Sequence, residues 1–141
     1  MKEGNEHTIL KDHGLKITPI RKGILNILRS SHRPFAVKDI INVLHKSIKR
    51  FDTVTVYRTL HTLKQKNIVQ SVHWGGEALL YELVRGHHHH IVCTRCGDVE
   101  DIFESECAQT SKNVLKSSKK FFSITKHSFE LFGICTLCSK K

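Results

Sequence analysis

The chain has 141 residues, 39% hydrophobic and 26% charged, with 2 prolines and 8 glycines. That suits one compact domain or two small ones and excludes a disordered composition. No apolar run approaches the ~18 residues of a membrane span. The opening MKEGNEHTIL carries acids and lacks a long apolar stretch, so a secretory leader is not expected. A cytoplasmic location follows as the expectation. There the five cysteines stay reduced, which favours metal binding over disulfides.

The net charge is +10. Residues 1–84 hold 14 basic and 7 acidic side chains, net +7, whereas residues 85–141 hold 9 and 6, net +3. All five cysteines fall in the second part. The first part therefore reads as a polyanion binder and the second as a metal binder, although a basic solvated surface alone would give the same charge.

Along the chain, a weak helix is expected from Glu6 to Gly14. Thr18 followed by Pro19 starts a second, as cap and first-turn proline. Ile20, Ile24, Ile27 and Leu28 carry it to about Ser31. Val37, Ile40, Ile41, Leu44 and Ile48 mark a third amphipathic helix. Asp52 caps a fourth, with Val56, Leu60 and Leu63 as its buried stripe. Strands are expected at Ile68–His73 and Leu79–Val84, around a turn of Trp74, Gly75, Gly76 and Glu77. These are the ingredients of a winged helix-turn-helix.

Arg85-Gly86 reads as a hinge between a 1–84 domain and an 87–141 domain. The second part predicts strands at His90–Cys93 and Val99–Phe103, a polar helix over Glu104–Lys120, and a last strand over Ser123–Phe132. The fold class is α+β. At about 55 residues the second unit is marginal alone and would gain from a metal or from dimerisation.

Three constellations carry chemistry. Cys93-x-x-Cys96 and Cys135-x-x-Cys138 can each grip one side of a tetrahedral ion, and four thiolates favour a closed, structural Zn²⁺ site over redox thiols. His87, His88, His89 and His90 stand in a row. On an extended segment His88 and His90 face one side and His87 and His89 the other, enough to feed two metal sites, or else to form a solvated polar loop. The helix after Asp52 exposes Thr55, Tyr57, Arg58 and Thr62, which suits bases and phosphates in a groove, or an ordinary mixed solvent face. Cys107 reads as a small buried thiol. No common hydrolase or nucleotide-binding signature is present, so an enzyme is not expected.

With these residues in view, the chain resembles the ferric uptake regulator family of metal-dependent repressors. The resemblance runs from about Leu15 to Cys138. It is carried by Gly14–Thr18 with Arg21, by TVTVYRTL at Thr53–Leu60, by HHHHIVCTRCG at His87–Gly97, and by His127–Cys135. It implies an N-terminal winged helix and a C-terminal α/β dimerisation domain. It implies that Tyr57 and Arg58, with Thr55 and Arg21 as further DNA-binding residues, face DNA, that Lys16 reaches an A·T-rich minor groove, and that the paired cysteines hold structural zinc. The partners implied are a second copy of the chain and an A·T-rich inverted-repeat operator, with no membrane.

The family's regulatory ligands fall here on His32, Glu82, His88, His90 and Asp101. Three imidazoles and two carboxylates suit Fe²⁺, Mn²⁺, Co²⁺ or Zn²⁺. A further family site falls on His87, His89 and His127. Its glutamate position is Ala108, with Glu104, Glu106 and Cys107 beside it, which makes Glu106 the candidate fourth ligand. The expectation is an Fe²⁺-sensing repressor of metal-uptake or related genes. Zinc sensing and peroxide sensing are the alternatives within the family, and a metal-storage or redox protein the alternative outside it. Glu82, where zinc sensors often place a cysteine nearby, argues against zinc. Asp101, which matches the aspartate of peroxide sensors, keeps that reading open.

Overall fold

The computed structural model describes residues 5–73, 79–103, 107–125, 127 and 130–140. The chain divides into two compact units, Met1–Gly86 and His87–Lys141.

The first unit runs α1 (Glu6–Asp12), α2 (Pro19–Arg29), β1 (Phe35–Ala36), α3 (Val37–Ser47), α4 (Thr53–Gln65), β2 (Val69–His73) and β3 (Leu79–Leu83). The helix starts are chemical. The Thr18 hydroxyl accepts from the Arg21 amide at 3.3 Å, and the Asp52 carboxylate accepts from the Val54 amide at 3.0 Å. Each satisfies one of the amides that a helix start leaves open. Just past the His13 cap of α1, Gly14 has a φ of +66°, which suits a residue without a Cβ.

The apolar stripes meet in one core of Leu10, Ile24, Leu25, Leu28, Ile40, Leu44, Val56, Leu60 and Leu63, closed by Ile68 and Val69 of the β2 edge. Each such side chain contributes about 1.5–3 kcal/mol by leaving water. Strands β2 and β3 pair antiparallel from Val69↔Leu83 to His73↔Leu79, and β1 adds to the other edge of β3. This is a winged helix, with α3 and α4 as the helix-turn-helix and β2–β3 as the wing. The turn expected at Trp74–Glu77 lies outside the described residues.

The second unit runs β4 (His89–Cys93), β5 (Val99–Ile102), α5 (Cys107–Ser117), β6 (Glu130–Gly133) and α6 (Thr136–Ser139). Its sheet has the order β5-β4-β6, with β4 antiparallel to β5 and parallel to β6. Two sequence expectations need correction. The last strand is confined to Glu130–Gly133, and Ser123–Thr125 and His127 are not strand. Only the stretch opposite His90–Cys93 finds a partner, and β-propensity without a partner forms no ladder. Helix α5 stops at Ser117, where the Ser118 hydroxyl takes the amides of Lys120 and Phe121 and turns the chain away.

Among the described residues of this unit, Cys93 is the one fully buried member of the hydrophobic class. Phe103, Val114, Phe121, Phe122, Leu131, Phe132, Ile134 and Leu137 are all exposed. Its single chain buries little apolar surface.

Candidate metal centres and nucleic-acid interface

The first centre follows from β4 and β6. Pairing of Cys93 with Gly133 sets Cys135 two residues past the aligned end, next to Cys93. The turn after Cys93 closes through Gly97 (φ +71°), whose amide reaches the Cys93 carbonyl at 2.8 Å. The four Sγ atoms of Cys93, Cys96, Cys135 and Cys138 lie within 4.8 Å of one another, with Cys96 and Cys135 3.7 Å apart. A tetrahedron with arms of ~2.3 Å has edges of ~3.8 Å, so these donors fit zinc in both chemistry and spacing.

The cluster's own polarity is graded. The Cys135 amide donates to Cys93 Sγ at 3.3 Å, and with a further backbone bond from Cys96 it lowers the Cys93 thiol to about 6. A backbone bond from Asp98 pulls Cys96 down, but side-chain bonds to Cys93 and Cys135 leave it raised. Bonding to Cys135, then to Cys96, pushes Cys138 up to about 12. Backbone amides thus favour the charged form of Cys93 over those of Cys96 and Cys138.

The second group lies at the start of the same unit. His87 Nε2 stands 3.1 Å from His89 Nε2 and 3.2 Å from His127 Nε2. Zinc–nitrogen bonds of ~2.0 Å give tetrahedral edges of ~3.3 Å, so these three imidazoles converge at ligand spacing. Glu104 and Glu106 lie outside the described residues, as does the side chain of Cys107, which opens α5.

The opposite side of the histidine row brings His88 and His90 together, with ring centroids 4.9 Å apart. Register across β4–β5 pairs His90 with Asp101. His90 Nδ1 lies 3.0 Å from Asp101 Oδ1, both side chains being buried. Here Asp101 orients an imidazole, the arrangement that fixes a ligating histidine's ring. The two imidazoles offer nitrogen donors suited to a borderline divalent ion, with the Asp101 carboxylate seated on His90.

The remaining two regulatory candidates belong to the first unit. Glu82 is buried on β3 and accepts from Gln70 Nε2 across the wing at 2.6 Å. His32 follows α2 and is exposed, and its Nδ1 meets Arg85 Nη1 at 2.8 Å. Arg85 also donates through Nη2 to the carbonyls of Leu28 and Ser31, at 3.1 and 3.0 Å. Neither Gln70 nor Arg85 was legible as a site residue, because nothing in a linear sequence marks a hydrogen bond spanning 53 positions. Arg85, expected as half of a hinge, is thus bonded at the end of α2, and Gly86 after it has φ +102°.

On α4, Thr55, Tyr57 and Arg58 are exposed on the first two turns, while Val56, Thr59 and Leu60 face the core. The Thr62 hydroxyl is taken by the Arg58 carbonyl at 2.9 Å. Lys16 is exposed beyond the α1 turn, and Arg21 donates to its carbonyl at 2.7 Å. Arg21 therefore holds the Lys16 backbone in place.

A helix-turn-helix unit with an exposed polar first turn on its second helix, joined to a unit carrying cysteine and histidine clusters, is the build of a metal-responsive DNA-binding regulator. Residues 12–132 match the model of the ferric uptake regulator family, and the chain belongs to that family. It is 29% identical over 143 residues to the ferric uptake regulation protein of Neisseria meningitidis serogroup A, covering 100% of this chain and 98% of that one. It is 27% identical over 134 residues to the peroxide-responsive repressor PerR of Staphylococcus saprophyticus, covering 95% and 89%. The ferric uptake regulator of Vibrio cholerae superposes with a TM-score of 0.69 at 30% identity, covering 92% of this chain and 98% of that one. That structure is described as revealing rearrangement of the DNA-binding domains. Ferric uptake regulation proteins and peroxide-responsive repressors both stand among the relatives, and no helix among the described residues is long and apolar enough to cross a membrane.

Proposed function

We propose that this chain is a homodimeric repressor that binds an A·T-rich inverted repeat when Fe²⁺ is bound. The observation that carries the reading is the division of donors in the second unit. Among the described side chains, sulfur gathers in the Cys93, Cys96, Cys135 and Cys138 cluster, while His88 and His90, with Asp101 bonded to His90, come together without a thiolate. A closed sulfur site suits structural zinc, and a nitrogen and oxygen set suits a metal that comes and goes.

In this reading His32 and Glu82, from the DNA-binding unit, complete the set of His88, His90 and Asp101. The bound ion supplies a tether between units. An ion that binds the tethered arrangement more tightly than the untethered one shifts the population toward it. Two recognition helices at fixed spacing then enter major grooves of one operator, with Arg58 and Tyr57 at the bases and Lys16 in the adjacent minor groove. The exposed apolar residues of the second unit, Leu131 and Phe132 among them, support pairing with a second copy.

A peroxide-sensing reading draws its support from Asp101 and from the similarity to PerR. One experiment separates the readings. Protein with zinc at the cysteines is loaded anaerobically with Fe²⁺ on an A·T-rich inverted repeat, then exposed to peroxide. Fe²⁺-dependent binding that survives peroxide supports iron sensing. Release with added oxygen on the peptides holding His32 or His88 supports peroxide sensing. Activation by Zn²⁺ with Fe²⁺ inert would overturn both.

A further inference from the structure

We propose that Arg85 is a latch that competes with the regulatory metal for His32. This rests on the reading of His32 as a ligand, and deepens it by naming what the metal must displace.

The chemistry is forced by the donor inventory. A guanidinium carries five N–H donors and no acceptor. The 2.8 Å contact from Arg85 Nη1 therefore requires His32 Nδ1 to accept. A neutral imidazole whose Nδ1 accepts carries its proton on Nε2. Both ring nitrogens are then committed, one lone pair to Arg85 and the other nitrogen to a proton. A metal ion needs a lone pair. If it takes Nδ1, it displaces Arg85 directly. If it takes Nε2, the ring proton must move to Nδ1, and a protonated Nδ1 repels the same guanidinium. By either route the bond between Arg85 and His32 must break before His32 can ligate.

The geometry makes this break local. Nη2 of Arg85 is separately anchored to the carbonyls of Leu28 and Ser31 at the end of α2. Those two bonds do not depend on His32, so Arg85 can release the imidazole without leaving the helix end. The anchor also keeps the guanidinium from drifting off His32, as a free surface arginine would. The convergent groups of ligating atoms found among the described residues do not include His32, and Arg85 Nη1 lies at hydrogen-bond distance from its Nδ1. The latch sets a threshold: His32 joins the metal only when free metal is high enough to outcompete a fixed cation.

The test is a double-mutant cycle read by Co²⁺ absorption. The protein carries zinc at the cysteines and His127→Ala, which removes an imidazole of the other histidine group. Arg85→Met should lower the Co²⁺ midpoint roughly tenfold, as expected for removing one charge-assisted hydrogen bond. His32→Ala should raise it, and adding Arg85→Met to His32→Ala should give no gain. Arg85→Gln, which retains an N–H donor for the helix end, should reproduce the gain if Arg85→Met melts early. An unchanged or raised midpoint in a folded Arg85 variant would overturn the latch. A gain that persists without His32 would also overturn it, since Arg85 would then act only through its charge. A His32→Ala midpoint equal to that of the parent would instead overturn the ligand reading on which the latch depends.

Discussion

Replacing Asp52 tests whether the start of α4 presents the DNA-reading residues. Asp52 sits in extended backbone, φ −87° and ψ 133°, and its carboxylate accepts the Val54 amide at 3.0 Å. Deleting such a cap costs about 1 kcal/mol. Deleting its charge at the positive end of the helix adds about 0.3–1 kcal/mol at an exposed site. Asp52→Ala should therefore lose about 1.5 kcal/mol in urea unfolding, whereas Asp52→Asn, which keeps an oxygen acceptor, should lose only about 0.5 kcal/mol. On DNA two effects oppose. A frayed first turn loosens Thr55, Tyr57 and Arg58, but loss of an anion near the phosphates helps every sequence. Both variants lose the anion equally, so the comparison between them isolates the fraying. Anisotropy titrations on an A·T-rich inverted repeat at matched salt should find Asp52→Ala several-fold weaker than Asp52→Asn, with the gap persisting as salt rises. Equal stability of the two variants would refute the cap. Equal DNA affinity despite unequal stability would show that this turn does not contact the operator.

Cys96→Ser should abolish tightly held zinc and the dimer together, because structural zinc contributes folding free energy of order 10 kcal/mol in small domains; zinc content and sedimentation check it. Zinc capture should weaken as pH falls. The raised Cys96 thiol and the Cys138 thiol at about 12 must both shed protons to ligate, so chelator competition across neutral pH should show affinity climbing with pH, and a flat profile would contradict the thiol assignments. Arg58→Ala should weaken operator binding by about 1–3 kcal/mol with zinc content unchanged, while Lys16→Ala should act more evenly across A·T-rich sequences. His88→Ala should remove metal-activated DNA binding yet leave the cysteine cluster loaded, as read by gel shift and metal analysis.

What a linear sequence discloses here is whatever is local in the chain. Thr18 with Pro19, and Asp52 before an apolar stripe, mark helix starts because capping acts over two or three residues. The paired CxxC spacing points to a four-sulfur cluster because each half is a single turn. The histidine row sorts into His87 with His89, and His88 with His90, because side chains alternate on an extended strand. What escapes is whatever depends on a distant partner. The two-residue β1 exists only because β3 offers an edge to Phe35 and Ala36. The β6 strand is short because its parallel pairing with β4 begins only at His90↔Glu130. Glu82 looks like any alternate wing residue until Gln70 is seen to hold its carboxylate. Arg85 shows the point most sharply. Beside a glycine it reads as part of a flexible joint, and the fold turns it into the fixed cation at the end of α2. A residue assigned to looseness by its neighbours in sequence thus becomes, through its neighbours in space, the group that decides when His32 is available.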